Sequence, residues 1–524
     1  MPPCCSGSQR KMNSIKKSVA YIFIVIVLFP IILQLNAQSL TKGPYLANPS
    51  DSSITIRWES DSKTNFLVEY GEDKLFDRSK AAEFVAQKKS GYLYEAKISS
   101  LRSGKKYFYK VTSKSITTKV NFFKIGIDAS KPLSFVVLGD SRSKPHIFKL
   151  ITDQINKIDP LVIIANGDLV AKGGSYDNWQ TQFFDPAKDM MNHIPFITAV
   201  GDHESDEVDG DHANLFTHFL YPHKDSLKLW YSYNIGDAHF TFLDWRHPYN
   251  KEMIEWFKND ISNNSKTWKF VVMHRPSYNL GGHRVAWGQN VWPELFRENK
   301  IDIVFAGHSH LYERFYPLKP LSQPDSWAVT YITTGGAGAS LYEAIQHSSL
   351  AYTKSINHFL KVEIDNNRIE LKSLGIDGKV LDSVSWSKKN GVIDSKYLGK
   401  VFPQEELDII NIFNGPISER MKKLPMVEVP YEPAMRLNST KINEDIEFTI
   451  RLAEESIGNY EMSPVSGILK AGSKLDVSLI IFGRSTLTVT KWGDVTPVLR
   501  LIAEYKTKTF EGKVIGKMLE YIAW

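Results

Sequence analysis

From about Leu40 to Ile127 apolar and polar residues alternate with period two in short runs, among them Ile54-Thr55-Ile56-Arg57-Trp58 and Tyr107-Phe108-Tyr109-Lys110-Val111. Turn-forming stretches such as Asn48-Pro49-Ser50-Asp51 and Ser103-Gly104-Lys105 separate the runs. Period two, aromatics and regularly spaced turns predict an antiparallel β-sandwich over residues 40–127. The pattern changes at Lys131-Pro132. Continuous apolar runs at Leu133–Leu138, Leu161–Ala165, Phe196–Val200, Phe240–Leu243, Phe270–Met273 and Ile303–Ala306 read as buried strands, with a helical stretch at Ile147–Ile158. Buried strands with intervening helices predict an α/β domain over residues 131–386, closed by strands around Phe359–Ile364, Ile369–Leu374 and Val380–Trp386. A polar, proline-containing stretch at 387–440 reads as a linker. Residues 441–524 return to strand-like alternation, as in Ile446-Glu447-Phe448-Thr449-Ile450, and predict a small C-terminal β-domain without a catalytic constellation.

The first 37 residues add a location. Lys16 and Lys17 precede an apolar run from Val19 to Leu33, and the small residue Ala37 follows. Basic, apolar and small segments in that order build an export signal, so the chain is expected to be periplasmic, secreted or on the cell surface. The run is short for a bilayer span and is broken by Pro30, which leaves an uncleaved anchor as the lesser alternative. Met12 is an alternative start. Cys4 and Cys5 both precede the apolar run, so removal of the signal leaves no cysteine for disulfides, thiolate catalysis or zinc. Over 524 residues, a net charge of +6 without a dense basic block gives no reason to expect a nucleic-acid partner. With the signal gone, stable membrane insertion is not expected either.

The chemistry sits at strand ends. Gly139-Asp140, Asn166-Gly167-Asp168, Gly201-Asp202-His203-Glu204, His274 and Gly307-His308-Ser309-His310 each follow an apolar run. The carboxyl ends of α/β strands share one edge, so five strands would aim Asp and His at one place. Each alone has a plainer explanation, since Asp after a strand caps helices and a single His is commonly a satisfied core or surface group. Five endings in one stretch outweigh those explanations taken singly. Mixed carboxylate and imidazole donors without sulfur suit iron, zinc or manganese. An aspartate shared between two such ions would set them about 4 Å apart, as in phosphoryl-transfer sites.

The order of these motifs resembles that of the calcineurin-like metallophosphoesterases. Val271-Val272-Met273-His274-Arg275-Pro276-Ser277-Tyr278-Asn279 and Gly307-His308-Ser309-His310-Leu311-Tyr312-Glu313-Arg314 resemble the purple acid phosphatase branch in particular. The opening Lys42-Gly43-Pro44-Tyr45-Leu46 resembles the fibronectin type III-like domain that precedes its catalytic domain. The resemblance covers residues 40–385. It implies an α/β four-layer metallophosphoesterase sandwich flanked by the N-terminal β-sandwich and the C-terminal β-domain, with a dinuclear centre of two divalent or trivalent metal ions (Fe, Zn or Mn). By resemblance Asp168 bridges the ions, Asp140 and His310 bind the first, and Asp202, His274 and His308 bind the second. His203 then holds phosphate or protonates the leaving oxygen, Glu204 orients His203, and His283 faces the leaving group.

The chain departs from that branch at three positions. Ala171 stands where the purple enzymes carry a metal-binding tyrosine, so their colour is not expected. Arg142 replaces the histidine of the wider family's Asp-x-His, which leaves the first ion three protein ligands, to be completed by water or His146. Asp202 replaces an asparagine and adds negative charge beside the substrate. Arg142 either offsets that charge by pairing with phosphate oxygens or is a surface arginine. The function implied is hydrolysis of small phosphate esters by in-line attack of a metal-bound hydroxide. Because of the three departures, the alternative is a catalytically degenerate phosphatase-fold binding or scaffold protein at the cell surface. Adhesion through the terminal β-domain is compatible with either.

Overall fold

The computed structural model describes residues 38–520 apart from 90, 129–130, 206–212, 223–227, 284–285, 390–391, 394–399, 415–430, 454–458, 483–487, 490–494 and 497. The expected signal, with Cys4 and Cys5, lies outside the described residues.

Eight strands form the N-terminal part: β1 (Leu40–Ala47), β2 (Ile54–Ser60), β3 (Leu67–Gly71), β4 (Arg78–Ala81), β5 (Glu83–Lys88), β6 (Gly91–Ile98), β7 (Lys105–Thr112) and β8 (Asn121–Ile125). They pair antiparallel in two four-stranded sheets, β1-β2-β6-β5 and β4-β3-β7-β8. Alternate residues Ile54, Ile56, Trp58, Tyr107, Tyr109 and Val111 fill the space between them, as the period-two pattern requires. The polar face of β2 is buried as well. Arg57 reaches the carbonyls of Phe219 and Tyr221, and the Tyr45 hydroxyl donates to Phe219 O at 2.8 Å. The alternation therefore faces the next domain rather than water, and these bonds satisfy the polar groups it buries.

The central part holds β9 (Leu133–Leu138), β10 (Val162–Ala165), β11 (Phe196–Thr198), β12 (Tyr231–Ile235), β13 (Ala238–Phe242), β14 (Trp268–Met273), β15 (Ile303–Ala306), β16 (Tyr312–Phe315), β17 (Leu318–Lys319), β18 (Thr330–Thr334), β19 (Leu350–Lys354), β20 (His358–Asp365), β21 (Arg368–Gly375), β22 (Val380–Lys389) and β23 (Val392–Ile393). All but β17 lie in two mixed seven-stranded sheets, ordered β11-β10-β9-β20-β21-β22-β23 and β12-β13-β14-β15-β18-β16-β19. Phe135 of the first sheet meets Phe240 and Phe270 of the second at ring distances of 5.1 and 5.7 Å, so the sheets face one another. Helices Pro145–Ile158 and Asp185–Met191 pack in the same core as the first sheet. Val271, Met273 and Val304, from the other face of the second sheet, pack with helices Lys251–Ser262 and Trp292–Glu298. The result is helix, sheet, sheet, helix: four layers. The strand ends were expected along the edge of one sheet; they belong to two, because strand pairing is long-range and the local pattern does not carry it.

Within the stretch expected as a linker, the described residues include regular elements. Residues Gln404–Asn414 form a helix whose Leu407 and Ile410 are fully buried in the core shared with Phe257, Trp292 and C-terminal residues such as Phe448. Tyr431–Asn438 is a strand that already pairs with Lys474–Phe482 in the C-terminal sheets.

His358, at the start of β20, is fully buried between Ile356 O (2.9 Å) and Thr334 Oγ1 (3.0 Å). Burial lowers its pKa from 6.5 to about 4. As pH falls through this window the unfolded chain takes up the proton first. The neutral ring therefore contributes stability that is complete above pH 6.5 and lost towards pH 4, up to about 3 kcal/mol. Urea midpoints measured from pH 7 to pH 4.5 should fall, and less steeply in His358→Gln; equal slopes would refute the assignment.

Candidate metal centre

The first sheet delivers the carboxylates and the second the imidazoles. Parallel strands β9, β10 and β11 lead into Asp140, Asp168 and Asp202; parallel β14 and β15 lead into His274, then His308 and His310. Asp140, Asp168 and His308 have positive φ (59°, 56° and 66°), a strained conformation for side chains other than glycine. Close loop packing holds them there. A Cβ on Gly201 would lie 2.2 Å from Asp168 N, and one on Gly307 would lie 2.6 Å from Asp140 Oδ2.

Two groups of donor atoms, each drawn within 4.8 Å, form there: Asp202, His274 and His308, and Asp140, Asp168 and His274. His310 Nε2 is 3.4 Å from Asp140 Oδ1. The imidazoles are oriented by main-chain carbonyls. His274 Nδ1 bonds Asn166 O (2.8 Å), His310 Nδ1 bonds Ser340 O (2.7 Å), and His203 Nδ1 bonds Ala171 O (2.7 Å). A carbonyl only accepts, so each Nδ1 carries the proton and each Nε2 faces the site. The buried His274 Nε2 has no hydrogen-bond partner and lies 3.3 Å from one oxygen each of Asp168 and Asp202. A lone pair facing two carboxylates is repulsive unless a cation or a proton stands between them. The donor set therefore fits metal ions.

Charge tells the same story. Burial by itself lowers the His274 pKa, but Asp168, Asp202 and Asp140 push it up to about 9. Burial raises the Asp168 carboxyl, yet His274, His203 and Arg142 hold it well below the usual carboxylate range. His308 is lowered to about 3 by burial and by the neighbouring His274, so its ring is neutral. Its Nδ1 is 3.4 Å from Asp202 Oδ2.

Several expectations change. Arg142 is not a free surface arginine: its Nε donates to Asp168 Oδ2 (3.3 Å), and its Nη2 lies 3.4 Å from His310 Nε2. Asp202 itself is paired with Arg275, through three contacts of 2.6–3.2 Å, while the Arg275 guanidinium lies 4.2 Å over Trp245. Glu204 does not hold the His203 ring; it accepts from the main-chain N–H groups of Asp168, Leu169, Val170 and Gly201. His203 N donates to Asp168 Oδ1 (3.0 Å), and the His203 ring is partly exposed. His283 sits beside the cluster, its ring 5.2 Å from His308 and its Nε2 2.6 Å from the Tyr342 hydroxyl. His146 is exposed on its helix. At Ala171 the carbonyl serves His203, and no phenol comes from that position.

The sequence reading missed Arg275, although it directly follows His274. It also missed Gly335–Tyr342, which follows strand β18 with the same glycine-rich ending as the other loops but contributes carbonyls and a ring where they contribute carboxylates.

Residues 133–312 match the calcineurin-like phosphoesterase family, and residues 42–125 match the purple acid phosphatase N-terminal domain. Purple acid phosphatase 21 of Arabidopsis thaliana is 29% identical over 293 residues, which cover 52% of this chain and 65% of that protein. The Fe(3+)-Zn(2+) purple acid phosphatase 12 of the same plant is 26% identical over 318 residues, covering 54% and 67%. The match thus spans about two thirds of these relatives' length. The structure of the purple acid phosphatase PPD1 from yellow lupin (Lupinus luteus) seeds superposes with a TM-score of 0.58 at 20% identity, over 69% of this chain and 75% of that one, a likeness of fold.

Proposed function

We propose, for a chain that belongs to the calcineurin-like metallophosphoesterases of the purple acid phosphatase type, that the cluster between the two sheets hydrolyses small phosphate esters with a pair of bound cations. The observation that carries this reading is the buried His274 Nε2 aimed between Asp168 and Asp202 without a donor. Asp140, Asp168 and His310 would hold one cation; Asp202, His274 and His308 would hold the other, with Asp168 between them. Bound there, iron, zinc or manganese would acidify water and neutralise charge on the phosphoryl oxygens.

The chain's own residues supply orientation and protons. Ala171 O fixes the His203 ring so that Nε2, 3.8 Å from Asp168 Oδ2, faces the open side, where it can bond a phosphate oxygen or protonate the leaving group. Arg142 balances Asp168 and faces the same space, placed to bond phosphoryl oxygens. The partly exposed Arg275 keeps the extra carboxylate of Asp202 from repelling an anionic substrate. His283 borders the leaving-group side. Basic, apolar and small segments in residues 1–37 support export. Among the described residues no helix is long and apolar enough to cross a membrane.

Chelator-stripped protein should lose hydrolysis of an aryl phosphate and regain it with Mn²⁺, Zn²⁺ or Fe. Less than one ion per chain and no turnover with any metal would favour a scaffold instead.

A further inference from the structure

His310 is held on three sides by the loop between β18 and β19. Ser340 O takes its Nδ1, the Tyr342 ring stacks on it at 4.2 Å and 12°, and Tyr342 N donates to His310 O at 3.0 Å. The Tyr342 hydroxyl bonds His283 Nε2. The next residue, Glu343, is exposed, and its side chain is held from another part of the chain. Arg500 Nη2 reaches both carboxylate oxygens, at 2.8 and 2.9 Å. Arg500 lies on the C-terminal strand Val498–Lys506, and its side chain is only 10% exposed. The register of that strand against Glu511–Glu520 shifts between Arg500 and Ile502. An irregularity of this kind re-aims a side chain out of the regular sheet pattern. The strand shares its hydrophobic core with the α/β part, through Leu501 and Ala503.

We infer that the C-terminal β-sheet is a positioning element of the metal centre: Arg500, through Glu343 and Tyr342, sets the ring of His310 and the direction of His283. Arg500 and Tyr342 are positioning residues, and the inference rests on His310 being a metal ligand. Arg500 gives the C-terminal sheets a role in the site although they hold none of its proposed ligands. Residues that orient a ligand typically change metal affinity by tenfold or more when removed, whereas a partly exposed ion pair contributes modestly to overall stability. The clasp should therefore show itself in cation binding far more than in melting temperature.

The test uses the full chain, stripped of metal, with Mn²⁺ binding followed by calorimetry and melting recorded alongside. Arg500→Glu and Glu343→Arg should each weaken Mn²⁺ binding roughly fivefold. The charge-swapped double variant, whose net charge is that of the wild type, should recover to within about twofold. Tyr342→Ala should lose about tenfold, while Tyr342→Phe keeps the stacking ring and the affinity. Wild-type affinity in Arg500→Glu, or a double variant no better than its parents, overturns the clasp while leaving the proposed function standing. No Mn²⁺ binding by the wild type removes the metal-centre reading and this inference together.

Discussion

Asp168→Asn should lower kcat for an aryl phosphate by about three orders of magnitude without unfolding the chain. A cation contributes several kcal/mol to stabilising phosphoryl charge, and each 1.36 kcal/mol is a factor of ten in rate. In the proposed reading Asp168 would share both cations; His274 faces it at 3.3 Å, and its oxygens also take Arg142 Nε and His203 N. Asparagine keeps the volume and one accepting oxygen, so the backbone N–H of His203 still has a partner. It removes the negative charge for which the surrounding histidines and Arg142 are arranged. His308→Ala tests the same centre from the second sheet and should also abolish turnover. Melting within a few degrees of wild type, with activity gone and less than two ions bound, is the expected result for both. Undiminished turnover in both variants would dispose of the site.

Much of this centre could be read in the sequence, because a strand's apolar run and the residue ending it are local. Asp140, Asp168, Asp202, His274, His308 and His310 come together where the strand ends pointed, although on two facing sheets. What could not be read is mostly pairing across sequence distance. Arg275 meets Asp202 across 73 residues and Arg500 meets Glu343 across 157, and neither arginine follows a pattern that marks its partner. The orienting carbonyls of Asn166, Ala171 and Ser340 escaped for a different reason: every residue has a carbonyl, so only geometry distinguishes one. The linker reading failed at Gln404–Asn414 because that helix buries its apolar residues in a core supplied by segments far away in the chain.

Glu204 carries the largest stability effect expected of any single residue near the site. It is fully buried, and its carboxylate takes four main-chain N–H groups: Oε2 accepts from Asp168 and Gly201 at 2.8 Å, and Oε1 from Leu169 at 2.7 Å and Val170 at 3.4 Å. Burial and the neighbouring Asp168 charge push its pKa up to about 8, and the N–H donors act against that shift by favouring the carboxylate. The side chain thus ties the loop after β10 to the loop after β11, which carry Asp168 and Asp202. Glu204→Ala strands these donors away from water at about 1–3 kcal/mol each. A total loss near 4 kcal/mol or more is expected, a large part of the stability of an ordinary domain. Glu204→Gln keeps one oxygen for one pair of donors but turns an NH₂ towards the other pair, so it should lose roughly half as much. Because both loops move with it, Mn²⁺ binding should fall in the same order, alanine below glutamine below wild type. A urea midpoint for Glu204→Ala equal to wild type would mean that the loops are held by their glycine contacts alone.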